Sequence, residues 1–134
     1  MTRNRVMSDP FDLPPEDVEY LDANHPGKWR IIDEDGKRGL LIEGFDLPVG
    51  YTQSAADLMI LMPSGYPGTP LDMFYFDPPL AKQNGEEIAA VVTEQHFVRL
   101  WQRWSRHYEW NPGEDSLHRH IEHVRVELKK TASE

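Results

Sequence analysis

Hydrophobic residues near the end of the chain recur three or four positions apart, which is the spacing of one face of an α-helix. They are Leu117, Ile121, Val124 and Leu128. Upstream of them, Asn111 is a favoured N-cap residue, Pro112 suits the first helical position, and Glu114 stands where a capping box places an acid. We therefore predict a C-terminal helix that begins after Asn111 and packs its apolar stripe on a core.

Earlier in the chain, short hydrophobic runs separated by turn residues are typical of β-strands. The predicted strands cover residues 28–32, 39–45, 56–62 and 73–76. The Asp35-Gly36 pair between the first two is a hairpin signal, and connections this short favour an antiparallel meander over parallel units. Prolines and first-turn acids over 14–21 predict a short helix before the first strand.

Residues 80–95 are polar and irregular, and an aromatic run follows from 96 to 110. The large aromatic residues of that run are expected to be core anchors: Trp101, Trp104, Tyr108 and Trp110. The predicted fold class is thus α+β, with a short N-terminal helix, a four-stranded antiparallel meander, a long irregular crossing and a C-terminal helix. We assign residues 1–13 to a flexible N-terminus, 14–130 to a single domain and 131–134 to a tail.

The composition of the chain argues against some classes of binding partner. The 134 residues carry a net charge of −9, and the acidic excess lies in residues 1–95, which hold seven Lys and Arg against seventeen Asp and Glu. Nucleic acid is not expected as a partner, because phosphate binding needs a basic footprint. No apolar run approaches the roughly 18 residues of a membrane span, so we expect no membrane partner. The absence of cysteine and of a signal-peptide pattern is compatible with a cytoplasmic location.

Two proline-containing segments precede the fourth strand and the last helix. They are Pro63-Ser64-Gly65-Tyr66-Pro67-Gly68-Thr69-Pro70 and Trp110-Asn111-Pro112. Together with the order of elements, they resemble the ubiquitin-conjugating superfamily. Further segments are similar to the bacterial branch called prokaryotic family E: Leu47-Pro48-Val49-Gly50-Tyr51, Asp72-Met73-Phe74-Tyr75 and Trp104-Ser105-Arg106-His107. The resemblance covers roughly residues 14–130 and implies the ubiquitin-conjugating fold.

The usual chemistry of that superfamily uses a cysteine thioester, and this chain has no cysteine. By the resemblance, the cysteine position falls shortly before the Trp-x-Pro motif, near Gln102, and glutamine is not a nucleophile. The superfamily also places a His-Pro-Asn segment after the fourth strand, whose asparagine helps to stabilise the oxyanion. Only Asn84 is available as its stand-in here.

Ser105 and His107 are the reactive pair nearest to the expected site. In an extended segment, residues two apart face the same side, so His107 could act as the base for Ser105, which would then accept a ubiquitin-like C-terminus as an oxyester. The alternative is a structural role, with Ser105 capping a turn and His107 bonding to backbone. In a helix the two side chains would diverge.

Five residues are predicted to contact partners: Tyr66, Pro67, Pro70, Arg103 and Arg106. The loop 66–70 is architectural by its prolines, and by the resemblance it also borders partner-binding surfaces. The two arginines could bind a carboxylate, or they could pair with the many acids of the chain. The histidines of the last helix, His118, His120 and His123, are interpreted as a surface cluster, since they lack a third ligand on one face. We expect no metal and no cofactor.

The leading interpretation is a ubiquitin-conjugating-like component of a bacterial ubiquitin-like modification pathway. It would bind and position a ubiquitin-like protein and its activating-enzyme homologue, and the resemblance implies a JAB-type metallopeptidase as a further partner. Three alternatives stay open: an active acyl carrier that uses Ser105, an enzyme whose native cysteine was replaced, and an unrelated α+β protein-binding domain.

Overall fold

Two helices pack on one face of a six-stranded antiparallel sheet in the computed structural model, which describes residues 13–134. The elements in chain order are α1 (Pro15–Asn24), β1 (Trp29–Glu34), β2 (Lys37–Asp46), β3 (Ala55–Leu61), β4 (Phe74–Asp77), β5 (Val91–His96), β6 (Arg99–Trp104) and α2 (Leu117–Ala132). The α+β class is confirmed. All but the last residue of the predicted flexible segment 1–13 lies outside the described residues.

The first four strands form the predicted meander, in which each strand pairs with the next. The β1–β2 turn is formed by Asp35 and Gly36, both with positive φ (53° and 76°). This is the backbone that a two-residue hairpin turn requires, because its twist matches that of the flanking strands.

The predicted irregular crossing over 80–95 is wrong in its second half. Residues Val91–His96 and Arg99–Trp104 form a hairpin, and β6 pairs with β4 to give the sheet order β1-β2-β3-β4-β6-β5. The sheet therefore has six strands rather than four. The sequence of this hairpin lacks the usual turn residues. Phe97 and Val98 form the turn with φ of 57° and 60°, a backbone conformation for which glycine or asparagine is the common choice.

The last helix begins later than predicted. Gly113, with φ of 91°, stops the backbone from continuing as a helix, and Asn111 O accepts hydrogen bonds from the backbone N–H groups of Glu114 and Asp115 in a separate turn. The N-cap residue of α2 is Ser116 and not Asn111. Glu114 consequently has no capping-box role.

We call the side of the sheet that packs on α1 and α2 the helix face. The four stripe residues of α2 are all fully buried there, as their spacing predicts. They pack with Leu21 of α1 and with inward-facing strand residues, among them Leu40, Ile42, Leu58, Ile60, Phe74, Phe76 and Trp104. Trp104 stacks on Phe74 with ring centroids 5.5 Å apart.

The opposite side, which we call the hairpin face, has a smaller core made by Leu41, Met59, Tyr75, Phe97 and Trp101. Phe97, at the tip of the β5–β6 hairpin, packs so closely on β2 that a Cβ on Gly39 would lie 2.7 Å from its ring. Strands in a sheet lie about 4.8 Å apart, so a flat sheet would hold β5 roughly 19 Å from β2. The hairpin therefore curls back over this face.

A polar network fixes the curled hairpin. Lys37 Nζ donates to His96 Nδ1 (2.9 Å), so the Nε2–H of His96 donates to Glu94 Oε1 (2.9 Å). Glu94 also accepts a hydrogen bond from the Tyr75 hydroxyl (3.3 Å) and pairs with Arg103. The hydrogen bond from His96 is the main cause that lowers the pKa of Glu94, and burial raises the pKa of Tyr75 to about 12.

Candidate functional site

Gln102, near which the resemblance places the cysteine, lies within β6 on the helix face. Its Oε1 accepts from the backbone N–H of Leu80 (2.9 Å) and from Trp104 Nε1 (2.9 Å), and its Nε2 donates to Leu80 O (3.2 Å). The side chain thus ties the segment that follows β4 to the sheet. All of these bonds suit an amide, which both donates and accepts.

A surface cleft of about 410 Å³, the crossing cleft, lies beside Gln102. It is lined by Leu80, Ala81, Gly85, Glu86, Glu87, Ile88, Val91 and Gln102. Asn84 directly precedes this lining and is exposed, with its Oδ1 accepting from the backbone N–H of Glu86 (2.9 Å). Gln102 therefore lines the cleft, and Asn84 is the residue next to its lining residue Gly85. Two of the exposed side chains of the cleft, Glu86 and Glu87, are acidic.

Neither Ser105 nor His107 is among the residues that line that cleft. Ser105 is half-buried, and its backbone N–H donates to Ala90 O (3.1 Å), which continues the β5–β6 ladder. His107 is exposed and its Nδ1 is hydrogen-bonded to Asp72 Oδ1 (2.9 Å). Within residues 13–134 no hydrogen bond joins Ser105 to His107. The catalytic roles of Asn84, Ser105 and His107 stay predictions.

Asp72 also lines a pocket of about 450 Å³ at the edge of the hairpin face, which we call the loop pocket. Its lining comes from the β1–β2 turn, the end of β3, the proline loop and the start of β4: Gly36, Lys37, Arg38, Leu61, Met62, Pro63, Ser64, Pro70, Asp72, Met73 and Tyr75. Pro70 is exposed at its rim, as a partner contact would require.

Tyr66 is half-buried, and its hydroxyl joins both helices. It donates to Asp17 Oδ2 (2.5 Å) on α1 and accepts from the backbone N–H of Leu117 (2.6 Å), the first residue of α2. Burial raises the pKa of Asp17 and that of Tyr66, so a neutral hydroxyl faces an acid that is 2% exposed. The neighbouring Pro67 is exposed, while its carbonyl accepts from Trp110 Nε1 (3.1 Å).

The two arginines predicted to contact partners both make bonds within the domain. Arg103 pairs with Glu94. Arg106 donates to Ala89 O (3.0 Å), and its guanidinium lies 4.8 Å from the ring centroid of Trp104. Arg106 Nε also lies 3.6 Å from Glu127 Oε1, so both arginines have an acidic partner within the domain. Their contact with other proteins stays a prediction.

The predicted surface cluster of histidines is wrong for two of its three members. His120 is fully buried, with its Nε2–H donating to Met73 O (2.8 Å) and its Nδ1 accepting from the Tyr108 hydroxyl (2.9 Å). Burial lowers the pKa of His120 to about 4, so the ring is neutral at pH 7. His123, 7% exposed, is hydrogen-bonded to Arg106 O (3.1 Å). Only His118 is exposed.

A sequence signal for the buried histidines was available. His120 stands three after Leu117 and four before Val124, so it lies on the apolar stripe of α2. Residues 13–134 hold no group of His, Asp and Glu side chains placed to bind a metal ion.

Comparison of the sequence with models of known protein families identifies the family of this chain. The model of prokaryotic E2 family E, where E2 denotes a ubiquitin-conjugating protein, matches residues 13–131. The chain belongs to prokaryotic E2 family E. A search of curated proteins and a search of solved structures each find no match.

Membership gives this E2-like chain a ubiquitin-conjugating-like role in a bacterial ubiquitin-like pathway. The alternative of an unrelated α+β binding domain is therefore wrong. Neither α1 nor α2, the helices in the described part of the chain, is long and apolar enough to cross a membrane.

Proposed function

We propose that this E2-like chain binds a ubiquitin-like protein and its activating-enzyme homologue, and positions the ubiquitin-like protein for transfer without carrying it as a thioester. The proposal rests on the absence of a nucleophile at the position where the family would have its cysteine. The chain has no cysteine, and Gln102, at the expected position, is held in hydrogen bonds to Leu80 and Trp104. An amide there fixes the scaffold and offers no nucleophile.

The proline loop supports a partner surface next to both helices. Pro67 and Pro70 are exposed, while Tyr66 beneath them is fixed to Asp17 and Leu117. A loop held rigidly from below binds at a lower entropic cost than a mobile one. Beside it lies a pocket of about 300 Å³, lined by Pro14, Glu16, Asp17, Tyr66, Pro67, Gly113, Glu114, Asp115 and Ser116. Its acidic side chains suit a basic partner surface. A JAB-type metallopeptidase acts in the same pathway under this proposal.

A covalent role for Ser105 is the second candidate function, favoured by one observation. Asp72 holds His107 through Nδ1, and a carboxylate in this position is how a general base is commonly oriented. The Ser105 side chain has no hydrogen bond of its own within residues 13–134. It would carry the acyl group as an oxyester if His107 reached it.

Binding without ATP tests the non-covalent proposal. Isothermal titration calorimetry of the purified ubiquitin-like protein into this chain, with no ATP and no activating enzyme, is expected to give a saturable signal. Pro70→Arg, which adds bulk and charge at the exposed loop, is expected to weaken the affinity at least about tenfold, or 1.4 kcal/mol. The matched control is Pro79→Arg, at an exposed proline that follows β4. No binding by the parent, or equal affinities for both variants, would contradict the proposal.

A further inference from the structure

The outer edge of β5 carries backbone groups that the sheet does not use. The Ser105 N–H···O Ala90 bond shows that residues 90 and 105 form a hydrogen-bonded pair, and such pairs alternate along an antiparallel ladder. The even-numbered residues of β5 therefore bond to β6. The odd-numbered residues point their N–H and C=O groups away from it: Val91, Thr93 and Gln95. Within residues 13–134 no other backbone segment pairs with these groups.

This edge lacks the features that normally keep sheet edges apart. The three residues with outward backbone groups are uncharged, and the one acid of the strand, Glu94, is bonded to His96 and Arg103 of the same hairpin. The strand has no proline or lysine, and its register with β6 runs without a bulge. The other edge of the sheet, β1, carries Arg30, Asp33 and Glu34. Five large hydrophobic side chains of the described chain are exposed, and three belong to the hairpin: Val92 (47%), Val98 (77%) and Leu100 (63%).

We propose that β5 pairs antiparallel with β5 of a second copy of this chain, about a two-fold axis at Thr93, to join two six-stranded sheets into one. The inference is independent of the proposed function. A two-fold pairing is self-complementary, so one strand edge supplies both sides of the interface. The uncharged residues Val91, Thr93 and Gln95 and the exposed Val92 of β5 suit a second identical edge better than a strongly charged partner.

Geometry and charge select the register. Centring on Thr93 places Thr93 opposite its own copy and Val91 opposite Gln95, so all three outward residues make ladder bonds. It also sets Glu94 opposite Val92 of the second copy. Centring on Glu94 instead would place two carboxylates directly opposite each other, which is destabilising.

Single cysteines in this cysteine-free chain test the register directly. Residues in a hydrogen-bonded antiparallel pair have Cα atoms about 5.5 Å apart, within the range of a disulfide. Thr93→Cys is therefore expected to form a disulfide-linked dimer under mild oxidation. Gln95→Cys is the matched control on the same edge, since its two copies would lie about 14 Å apart. Lys130→Cys, exposed on α2, measures random collisions.

We expect Thr93→Cys to cross-link at least about tenfold faster than Gln95→Cys or Lys130→Cys, as followed on non-reducing gels. Light scattering should show that the unmodified chain has a dimer mass at high micromolar concentration. Thr93→Lys should reduce this mass to that of the monomer, with an unchanged circular dichroism spectrum, because lysine at an edge opposes pairing. Equal cross-linking rates for the three variants, or a monomer mass at every concentration, would overturn the proposal. A β5 edge that is instead filled by an extended segment of another protein would also give the monomer result.

Discussion

The two faces of the sheet are stabilised in different ways. On the helix face, the stripe of α2 and the strand residues it covers form one continuous apolar core. On the hairpin face, one curled hairpin covers a core of five buried residues, and charged groups surround it. Arg99, for example, bridges Asp57 and Asp77 next to the tip of the hairpin (3.0 and 2.8 Å). Apolar burial dominates the first face, and polar contacts carry a larger share of the second.

The residues of the candidate site contact two separate surface features. Gln102 reaches the crossing cleft on the helix face, while Asp72 borders the loop pocket of the hairpin face and holds His107. Asn84 directly precedes the lining of the crossing cleft, whereas His107 is bonded to a residue of the loop pocket. Two of the suggested catalytic residues are thus associated with different surface features.

We expect the largest difference in unfolding free energy between the faces when the two tryptophans of β6 are replaced. Trp104→Ala should cost about 4–5 kcal/mol of unfolding free energy, because this ring is fully buried in the helix-face core. Trp101→Ala, on the hairpin face, should cost about 3 kcal/mol, since its core is smaller. Urea unfolding followed by circular dichroism measures both values. A larger loss for Trp101→Ala would invert the comparison.

At low pH, protonation of His120 should lower the unfolding free energy through the helix-face core. Its pKa is about 4 in the folded chain and about 6.5 when unfolded, so the unfolded state binds more protons between these values. The stability contribution is complete above pH 6.5 and decreases as the pH falls, by about 3 kcal/mol at pH 4.

Urea unfolding of the parent and of His120→Gln at pH 7.5 and pH 4 separates this contribution from that of the carboxyl groups. The variant should lose about 3 kcal/mol less than the parent between the two pH values. His118→Gln, on the exposed side of the same helix, is the matched control for the substitution itself. An identical pH dependence for parent and His120→Gln would show that the buried histidine is not the acid-sensitive group.

Tyr66→Phe tests the hydroxyl that joins α1 to α2 on the helix face. The substitution leaves Asp17 and the Leu117 N–H without their partner, and it should cost about 2 kcal/mol in thermal or urea unfolding. Asp17→Asn is the matched control, because its amide oxygen still accepts from Tyr66. Burial raises the pKa of Asp17, which means that the fold disfavours its charged form, so the neutral Asp17→Asn should not destabilise the protein. A cost for Asp17→Asn as large as that for Tyr66→Phe would contradict this explanation.

The smallest predicted effect concerns the tip of the hairpin. Val98 has φ of 60°, which is strained for a β-branched residue, and its side chain is 77% exposed. Val98→Gly should therefore raise the unfolding free energy by about 1 kcal/mol through relief of this strain. Val92→Gly, at an exposed valine in regular strand, should lower it by a similar amount. A destabilised Val98→Gly protein would mean that the valine side chain stabilises the hairpin.

Sequence patterns predicted the helix face far better than the hairpin face. The stripe of α2 and the Asp35-Gly36 turn follow local rules of periodicity and backbone freedom, and both were recognisable. The β5–β6 hairpin was missed because Phe97 and Val98 occupy a turn that usually needs glycine or asparagine. Phe97 is held there by its packing on Gly39, a contact between distant parts of the sequence.

The candidate site could also be predicted only in part from the sequence. Gln102 was selected by its distance from the Trp-x-Pro motif and lines the crossing cleft. Asn84 was selected by its place after β4 and directly precedes the lining residue Gly85. The partner of His107 could not be predicted, because Asp72 lies 35 residues earlier and reaches it only through the fold. Likewise, nothing in the local sequence shows that Arg103 is paired with Glu94 across the hairpin.

Intact mass spectrometry tests the central claim most directly. This chain would be incubated with ATP, the activating-enzyme homologue and the ubiquitin-like protein, and its mass compared with that of Ser105→Ala treated in the same way. We predict an unmodified mass for both, under conditions where calorimetry shows the complex. A mass increase of one ubiquitin-like chain that mild hydroxylamine removes, and that Ser105→Ala lacks, would contradict the account and establish an oxyester carrier.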